Sequence, residues 1–304
     1  MLNSAAALKR NLIVLHLTVF VWGFTGILGA LITISATQLV WYRVLIAFIT
    51  LYIYFKASKI TIKVSLDTFL KLFFTGALVA AHWILFFQSI KSSTVSVTLV
   101  CLSSLTLFTA ILEPIFNRQK ISVLEIFTGL AIISGLYVIF EFESKYTLGI
   151  ILGLTSALFA SIFSIINSKQ IKNRDASIIS FYELIGAWVW ISLYLIFDNG
   201  FNDGMKLNNS DLIYLIILGT ICTSVAYVAG VSVMKSLSAF RVALITNLEP
   251  VYGIILAFIF FGKREQMTLG FYSGAVIILA SVFSYPLIKN HLTKRNLLKK
   301  APLA

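Results

Sequence analysis

Ten apolar runs of about twenty residues restrict the fold of this chain more than any other feature. A helix needs roughly 20 apolar residues, within a range of about 17 to 25, to cross the hydrocarbon of a bilayer. The runs do not alternate apolar and polar residues as barrel strands would, and lipid does not tolerate unpaired backbone, so helices are predicted. The predicted spans are 11–31, 38–55, 70–90, 94–116, 122–140, 146–168, 176–197, 211–234, 238–261 and 268–288.

The composition supports a membrane protein over a soluble one. Of the 304 residues, 59% are hydrophobic and only 12% are charged, whereas a soluble domain carries about 25% charged residues. Lys9 and Arg10 precede the first run as in a signal peptide, but the run is longer than a signal core and is interpreted as a retained span. The predicted fold class is an all-α integral membrane protein with ten transmembrane helices.

The basic residues indicate orientation rather than nucleic-acid binding. The net charge is +12, and most Lys and Arg side chains fall in the loops and the tail on the side where the chain begins. The positive-inside rule therefore predicts a multi-pass protein of the cell's inner (plasma) membrane with both termini cytoplasmic. These side chains are expected to contact anionic lipids. Cys101 and Cys222 have no metal-ligand spacing, and neither metal nor any other cofactor is predicted.

Two parts of the chain resemble one another in order. Residues 39–54 align with 179–194, which places Arg43 over Glu183, and residues 126–133 align with 271–278. Each half then holds five spans, and an odd number inverts the second copy relative to the first. Two inverted five-helix repeats are the plan of many secondary transporters.

The repeats correspond to a family resemblance. "FVWGFTGILG" in the first span, "WYRVLIA" in the second and "LSAFRVALITNLEPVYGIILAFIFFGKR" in the ninth resemble EamA-type members of the drug/metabolite transporter superfamily. The resemblance implies one EamA repeat in residues 1–145 and another in 146–304, around a cavity that exports or exchanges small metabolites by alternating access. The family usually places Glu directly after the Gly that closes the ninth span. Here Glu265 comes three residues after Gly262, so no role is carried over to it.

The ninth span contains a polar cluster near mid-bilayer. "TNLEP" brings together Asn247, Glu249 and Pro250. Proline removes a backbone donor and kinks a helix, and freed carbonyls beside an amide and a carboxylate suit a midplane substrate or ion site. Glu249 is predicted to bind a cationic substrate group or a coupling proton. The alternative is a structural carboxylate that pairs with Arg43 or Arg241 or stays neutral.

Arg43 is the charge that most needs explanation, since burying it in lipid costs roughly 2.5 to 3.5 kcal/mol. With a rise of about 1.5 Å per residue, Arg43 lies within about 5 Å of the height of Glu249 but about 12 Å from that of Glu183. Glu249 is therefore its predicted partner, although packing or snorkelling also accounts for an arginine here. Glu113 is interpreted as interfacial.

Further candidates for the cavity wall are aromatic or weakly polar. They are Trp22, Trp83, Gln88, Tyr227 and His82, with Phe86 and Phe87 as apolar neighbours. Ordinary packing or lipid contact explains such aromatics as well. A lone histidine without a partner at metal-ligand spacing is more often a hydrogen-bonded packing residue.

The leading function is a secondary-active exporter or exchanger of a small organic metabolite, such as an amino acid or related compound. A proton-independent permease or channel and an intramembrane enzyme are the alternatives. HExxH, GxSxG and P-loop motifs are all missing, which weighs against an enzyme or an ATP-driven pump. The expected partners are a small-molecule substrate, membrane lipids and protons, without nucleic acid. Substrate identity, direction of transport and oligomeric state stay open.

Overall fold

The structure is a computed structural model that describes residues 2–120 and 122–300. Side chains at 2–7, 286, 290 and 293–300 lie outside this description, so most of the basic tail cannot be compared with its predicted lipid contacts. All regular secondary structure in the described ranges is helical. This confirms the predicted all-α fold.

Thirteen α-helices follow one another in the described ranges, and ten segments of them are long and apolar enough to cross a membrane, as predicted. Spans 4, 8 and 9 are each built from two helices. The helices are α1 (Leu2–Leu31), α2 (Ala36–Ala57), α3 (Leu66–Ser92), α4 (Val95–Leu102), α5 (Leu105–Phe116), α6 (Val123–Phe142), α7 (Thr147–Gln170), α8 (Ala176–Phe197), α9 (Asn209–Gly219), α10 (Ala226–Val233), α11 (Ala239–Thr246), α12 (Leu248–Phe261) and α13 (Leu269–Lys300).

Span 4, formed by α4 and α5, lies at the centre of the bundle. In its most apolar window 83% of the residues are buried, against 22% for α6, which pairs with α13 at the periphery. The side chains of Phe127, Leu130 and Tyr137 on α6 are more than half exposed. Because α6 is apolar on all sides, these side chains face the lipid.

Spans 4 and 9 are both interrupted, and their interruptions lie next to each other. Span 4 breaks between Leu102 and Leu105, and span 9 breaks at Asn247. Helix α4 packs against α12, and α5 packs against α11. Broken spans at corresponding places in the two halves are typical of inverted-repeat transporters. The arrangement agrees with the inverted repeat, which stays a prediction, and the predicted boundary falls in the short turn Ser144–Tyr146.

A carboxylate at the end of each broken span binds the beginning of the other. Glu265, just beyond α12, accepts hydrogen bonds from the backbone N–H groups of Val95 (3.0 Å) and Ser96 (2.9 Å) at the start of α4. Glu113 near the end of α5 accepts one from Phe240 N–H (2.9 Å) at the start of α11. The first N–H groups of a helix lack internal partners and favour negative charge. The two carboxylates therefore fasten the central pair of spans at both ends.

Two more acidic residues accept hydrogen bonds from backbone and hydroxyl groups at the ends of other spans. Glu143 accepts from the backbone N–H and the hydroxyl of Thr268, both at 2.9 Å, just before α13. Asp211 accepts from the N–H (2.9 Å) and hydroxyl (2.6 Å) of Thr33 between α1 and α2. Hydrogen bonds to a charged acceptor are stronger than neutral ones. Most of the acidic side chains buried near span ends are thus accounted for by backbone contacts.

We expect Glu265→Ala to lower the stability of the protein by about 1.5 to 3 kcal/mol, the range for hydrogen bonds to a charged group. The cause is the loss of the acceptor for two buried N–H groups of α4. Thermal unfolding of the purified protein in detergent measures the change. Glu141→Ala is the matched control, because Glu141 is exposed near the end of α6. Equal melting temperatures for the two variants would contradict the capping role.

Candidate functional site

A central cavity lies among helices of both halves of the chain. The space enclosed by its lining, including the part open to solvent, is about 800 Å³. Its polar lining consists of Thr25, Arg43, His82, Ser164, Asn167, Thr246 and Glu249, and its aromatic lining consists of Trp22, Trp83, Phe86, Phe163 and Tyr227.

Arg43 is one of the largest fully buried side chains in the described structure, at 2% exposure. Its Nε donates a hydrogen bond of 2.5 Å to the Thr223 hydroxyl. Its guanidinium carbon lies 4.1 Å from the ring centroid of Trp83 and 5.4 Å from that of Phe87, so both rings stabilise the cation by cation–π interaction. Its Nη1 has no hydrogen-bond partner among the described residues. The arginine thus keeps an unused donor at the cavity.

The acceptor for Arg43 comes from an irregular part of span 8. Between α9 and α10 the chain forms a π-helix, Thr220–Val225, and such single turns are frequent at functional sites. Gly219 allows span 8 to approach α2 here, since a Cβ at this position would lie 2.7 Å from Ile46 and 3.0 Å from the Arg43 carbonyl oxygen. The Thr223 hydroxyl is therefore held directly against the guanidinium.

Glu249 lines the same cavity and interacts electrostatically with Arg43. The four ion pairs found within 4.0 Å in the described ranges do not include these two residues, so the predicted partners interact without a direct salt bridge. The physical reason is that each charge has its own surroundings. Arg43 has Thr223 and two aromatic rings, whereas Glu249, at 5% exposure, lies in the first turn of α12, where a helix favours a carboxylate.

Asn247 and Pro250 shape span 9 beside the cavity. The Asn247 side-chain amide donates to the Thr106 hydroxyl of α5 and to the Ala243 carbonyl (3.0 Å). It therefore ties the interruption of span 9 to span 4, and it does not line the cavity. Pro250 lies in the first turn of α12, where its missing N–H leaves no helical hydrogen bond unmade.

The structure brings most of the predicted wall residues together. Trp22, His82, Trp83 and Tyr227 all line the cavity. His82 Nδ1 lies 3.0 Å from the Ser156 carbonyl oxygen on α7, so a packing contact holds this ring.

Gln88 is placed elsewhere. It is exposed on α3, and its amide donates to Ser92 (3.3 Å) rather than lining the cavity. It lies five residues beyond Trp83, a spacing that turns the two side chains to different faces of α3.

Sequence reasoning missed five polar residues of the site. Four of them line the cavity, namely Thr25, Ser164, Asn167 and Thr246, and Thr223 binds Arg43. Each is a polar residue within an apolar span, which is the signal that was available. Serine and threonine are so common in such spans that the signal does not separate them from back-bonded hydroxyls.

The fold and the cavity define a polytopic α-helical membrane protein with a central polar site. The chain belongs to the EamA-like transporter family, which matches residues 10–141 and 147–285.

Named relatives agree with this family. An "Uncharacterized transporter YxxF" of Bacillus subtilis is 26% identical over 203 residues, covering 64% of each chain. An "Uncharacterized transporter" of Clostridium kluyveri is 25% identical over 222 residues, covering 69% of this chain and 67% of that one. Another, of Archaeoglobus fulgidus, is 27% identical over 149 residues, covering 49% and 51%. The chain thus spans about half to two thirds of the length of these relatives.

The fold also has a counterpart of known structure. A solved structure titled "Crystal structure of protein" superimposes with a TM-score of 0.69 over 92% of this chain and 98% of that chain. The sequence identity is 11%, so this likeness concerns the fold alone.

We expect Thr223→Val to destabilise the protein by about 1.5 to 3 kcal/mol, because it removes the acceptor of a buried guanidinium without changing the side-chain shape. Thr220→Val is the matched control in the same π-helix. Its hydroxyl donates to the Ile216 carbonyl and serves no charged group, so a smaller loss is expected. The two purified variants are compared by thermal unfolding. If Thr220→Val lowers the stability as much as Thr223→Val does, the proposed role of Thr223 as the acceptor for Arg43 is refuted.

Proposed function

We propose that the protein is a secondary-active transporter that moves an amino acid or related zwitterion by alternating access. The observation that carries the proposal is a pair of opposite charges at one cavity that form no direct ion pair. Arg43 Nη1 and the Glu249 carboxyl group have no hydrogen-bond partners among the described residues. A ligand carboxylate fits the guanidinium, and a ligand ammonium group fits the carboxylate.

The walls between the two charges favour an apolar substrate side chain. Trp22, Trp83 and Tyr227 present aromatic surface to the cavity, and the Trp22 ring lies against Gly230, where an added Cβ would be 2.8 Å from it. Aromatic rings combine a large apolar contact area with defined packing geometry. An aliphatic or aromatic side chain of the substrate would fill this region, while its two charged groups are held by Arg43 and Glu249.

The cavity extends from the middle of the bundle toward the side where α1 begins. Several of its residues belong to span ends on the side where α1 begins, such as Asn167 near the end of α7 and Val242 near the start of α11. On the opposite side Lys91 donates to the Ile32 carbonyl (2.9 Å), and Asp211 binds Thr33. With the predicted cytoplasmic termini, this arrangement supports a state open to the cytoplasm, from which an exporter in the inner membrane would load.

The one-sided arrangement favours a carrier over a channel. A channel in its conducting state is open to both sides at once, whereas a carrier exposes its site to one side at a time. Exchange of labelled for unlabelled substrate without net flux is the property of a carrier that a simple pore lacks.

We expect counterflow of labelled zwitterionic amino acids in proteoliposomes, tested with leucine and phenylalanine among other members of the class. Arg43→Gln and Glu249→Gln should each reduce uptake about 10- to 100-fold, because a hydrogen bond to a charged group is worth about 1.5 to 3 kcal/mol. Arg264→Gln and Glu141→Gln are charge-matched controls at exposed positions. Uptake unaffected by either cavity substitution would contradict the proposal that Arg43 and Glu249 bind the charged groups of the substrate.

The two variants should also differ in selectivity. Arg43→Gln should weaken competition by carboxylates that lack an amino group more than competition by amines. Glu249→Gln should do the reverse, because each variant removes only one of the two complementary charges. If the two variants show the same competition profile, the assignment of the substrate carboxylate to Arg43 and of its ammonium group to Glu249 is refuted.

A further inference from the structure

A fully buried carboxyl group lies directly behind the wall of the cavity. Glu183 on α8 has no exposed surface. Its Oε2 accepts hydrogen bonds from the Tyr227 hydroxyl (2.7 Å) and from Asn167 Nδ2 (3.1 Å). Both donors line the cavity. One carboxyl oxygen thus joins α7, α8 and α10 at the edge of the substrate site.

The second oxygen of the Glu183 carboxyl group and the amide oxygen of Asn167 have no hydrogen-bond partner in the described structure. Glu183 Oε1 and Asn167 Oδ1 are buried and accept no hydrogen bond from any described residue. Both are acceptors while the carboxyl group is ionised, so they cannot bond to each other. A proton on Oε1 changes this, because the resulting hydroxyl can donate to Asn167 Oδ1 while Asn167 Nδ2 still donates to Oε2. Acid and amide then form a ring of two hydrogen bonds.

Among the residues that the structure describes, no counter-ion pairs with the Glu183 carboxyl group. The titratable group that faces it from α10 is Tyr227, and from α7 it meets the uncharged Asn167. Helix α3 presents Gly76, where an added Cβ would lie 2.4 Å from the Glu183 carbonyl oxygen, so close backbone packing excludes water there. Helix α2 also packs against α8, and none of the four ion pairs found in the described ranges involves Glu183. A buried, unpaired carboxylate is costly, and accepting a proton removes that cost.

We propose that Glu183 is a proton-binding site in which the proton sits on Oε1 and is shared with Asn167 Oδ1. Proton binding forms one O–H bond on the carboxylate and breaks none in the protein, and the proton is returned to water on release. Through Tyr227 and Asn167, this site couples the substrate cavity to protons. The coupling role rests on the proposed transport function, whereas proton binding at Glu183 does not.

Contacts between neighbouring side chains connect Glu183 to Arg43 at the substrate site. The Tyr227 ring packs edge-on against Trp83, with ring centroids 5.6 Å apart, and Trp83 carries the Arg43 guanidinium on its face. A substrate packed against the cavity side of these rings touches the residue that donates to Glu183. Gain or loss of the proton makes or breaks a hydrogen bond to Asn167, which lines the cavity beside Tyr227.

Infrared spectroscopy of the purified full chain tests the site without any substrate, with pH as the probe. The wild-type protein should show the C=O stretching band of a buried protonated carboxyl group, and this band should disappear reversibly as the pH is raised. Glu183→Gln should lose that band, whereas Glu249→Gln, the matched change of a second buried carboxyl group, should keep it. Tyr227→Phe should shift its frequency, because a direct donor to the group is removed.

The Gln variant is suited to this test because its amide can form the same ring with Asn167 and mimics the protonated state. Its melting temperature should therefore vary less with pH than that of the wild type. A wild-type spectrum with no C=O component that Glu183→Gln removes, at any pH, overturns the proposal. So does stabilisation by sodium ions of the wild type but not of Glu183→Gln, which would indicate a metal-ion site. Because no transport is measured, these results are independent of the counterflow experiment.

Discussion

The hydrocarbon interior contains no water, so every polar group of this bundle needs a partner in the chain itself. Carboxylates near the span ends meet this need for helix N-termini. Glu265 and Glu113 bind the first N–H groups of α4 and α11, and Glu143 and Asp211 bind Thr268 and Thr33. These contacts join segments far apart in the chain. They hold spans 4 and 9 side by side, and the cavity forms around the interruptions of these two spans.

Three buried polar groups near the cavity have only some of the partners they need, and these groups are the candidates for function. Arg43 is satisfied on one edge by Thr223 and on its face by Trp83, yet its Nη1 has no partner in the described structure. Glu249 lies in the first turn of α12, and no side chain or backbone group among the described residues donates a hydrogen bond to its carboxyl group. Glu183 is bonded through one oxygen only. Incomplete satisfaction in a dry interior is unfavourable unless a ligand or a proton completes it, and the three groups lie at or directly behind one cavity.

Local patterns were sufficient for the spans, because length and hydropathy are properties of contiguous residues and lipid imposes helices on them. Six of the eight predicted binding residues line the cavity, including Arg43 and Glu249. Glu249 is an electrostatic partner of Arg43, as predicted, but height along the membrane could not show whether the two side chains touch, since it says nothing about lateral position or about competing partners. Asn247 was placed in the correct span, but its amide binds Thr106 and Ala243 instead of facing the cavity.

The sequence alone determined a ten-span helical membrane protein of the EamA-like family, with charges inside the bilayer that call for partners. Only the tertiary structure decided which partners they have. The acceptor for Arg43 comes from a π-helical turn 180 residues away, and the donors to Glu183 come from two other spans. Hydrophobicity places each residue at a depth, but the lateral packing of helices decides which side chains meet. That packing depends on contacts between segments that no local pattern encodes.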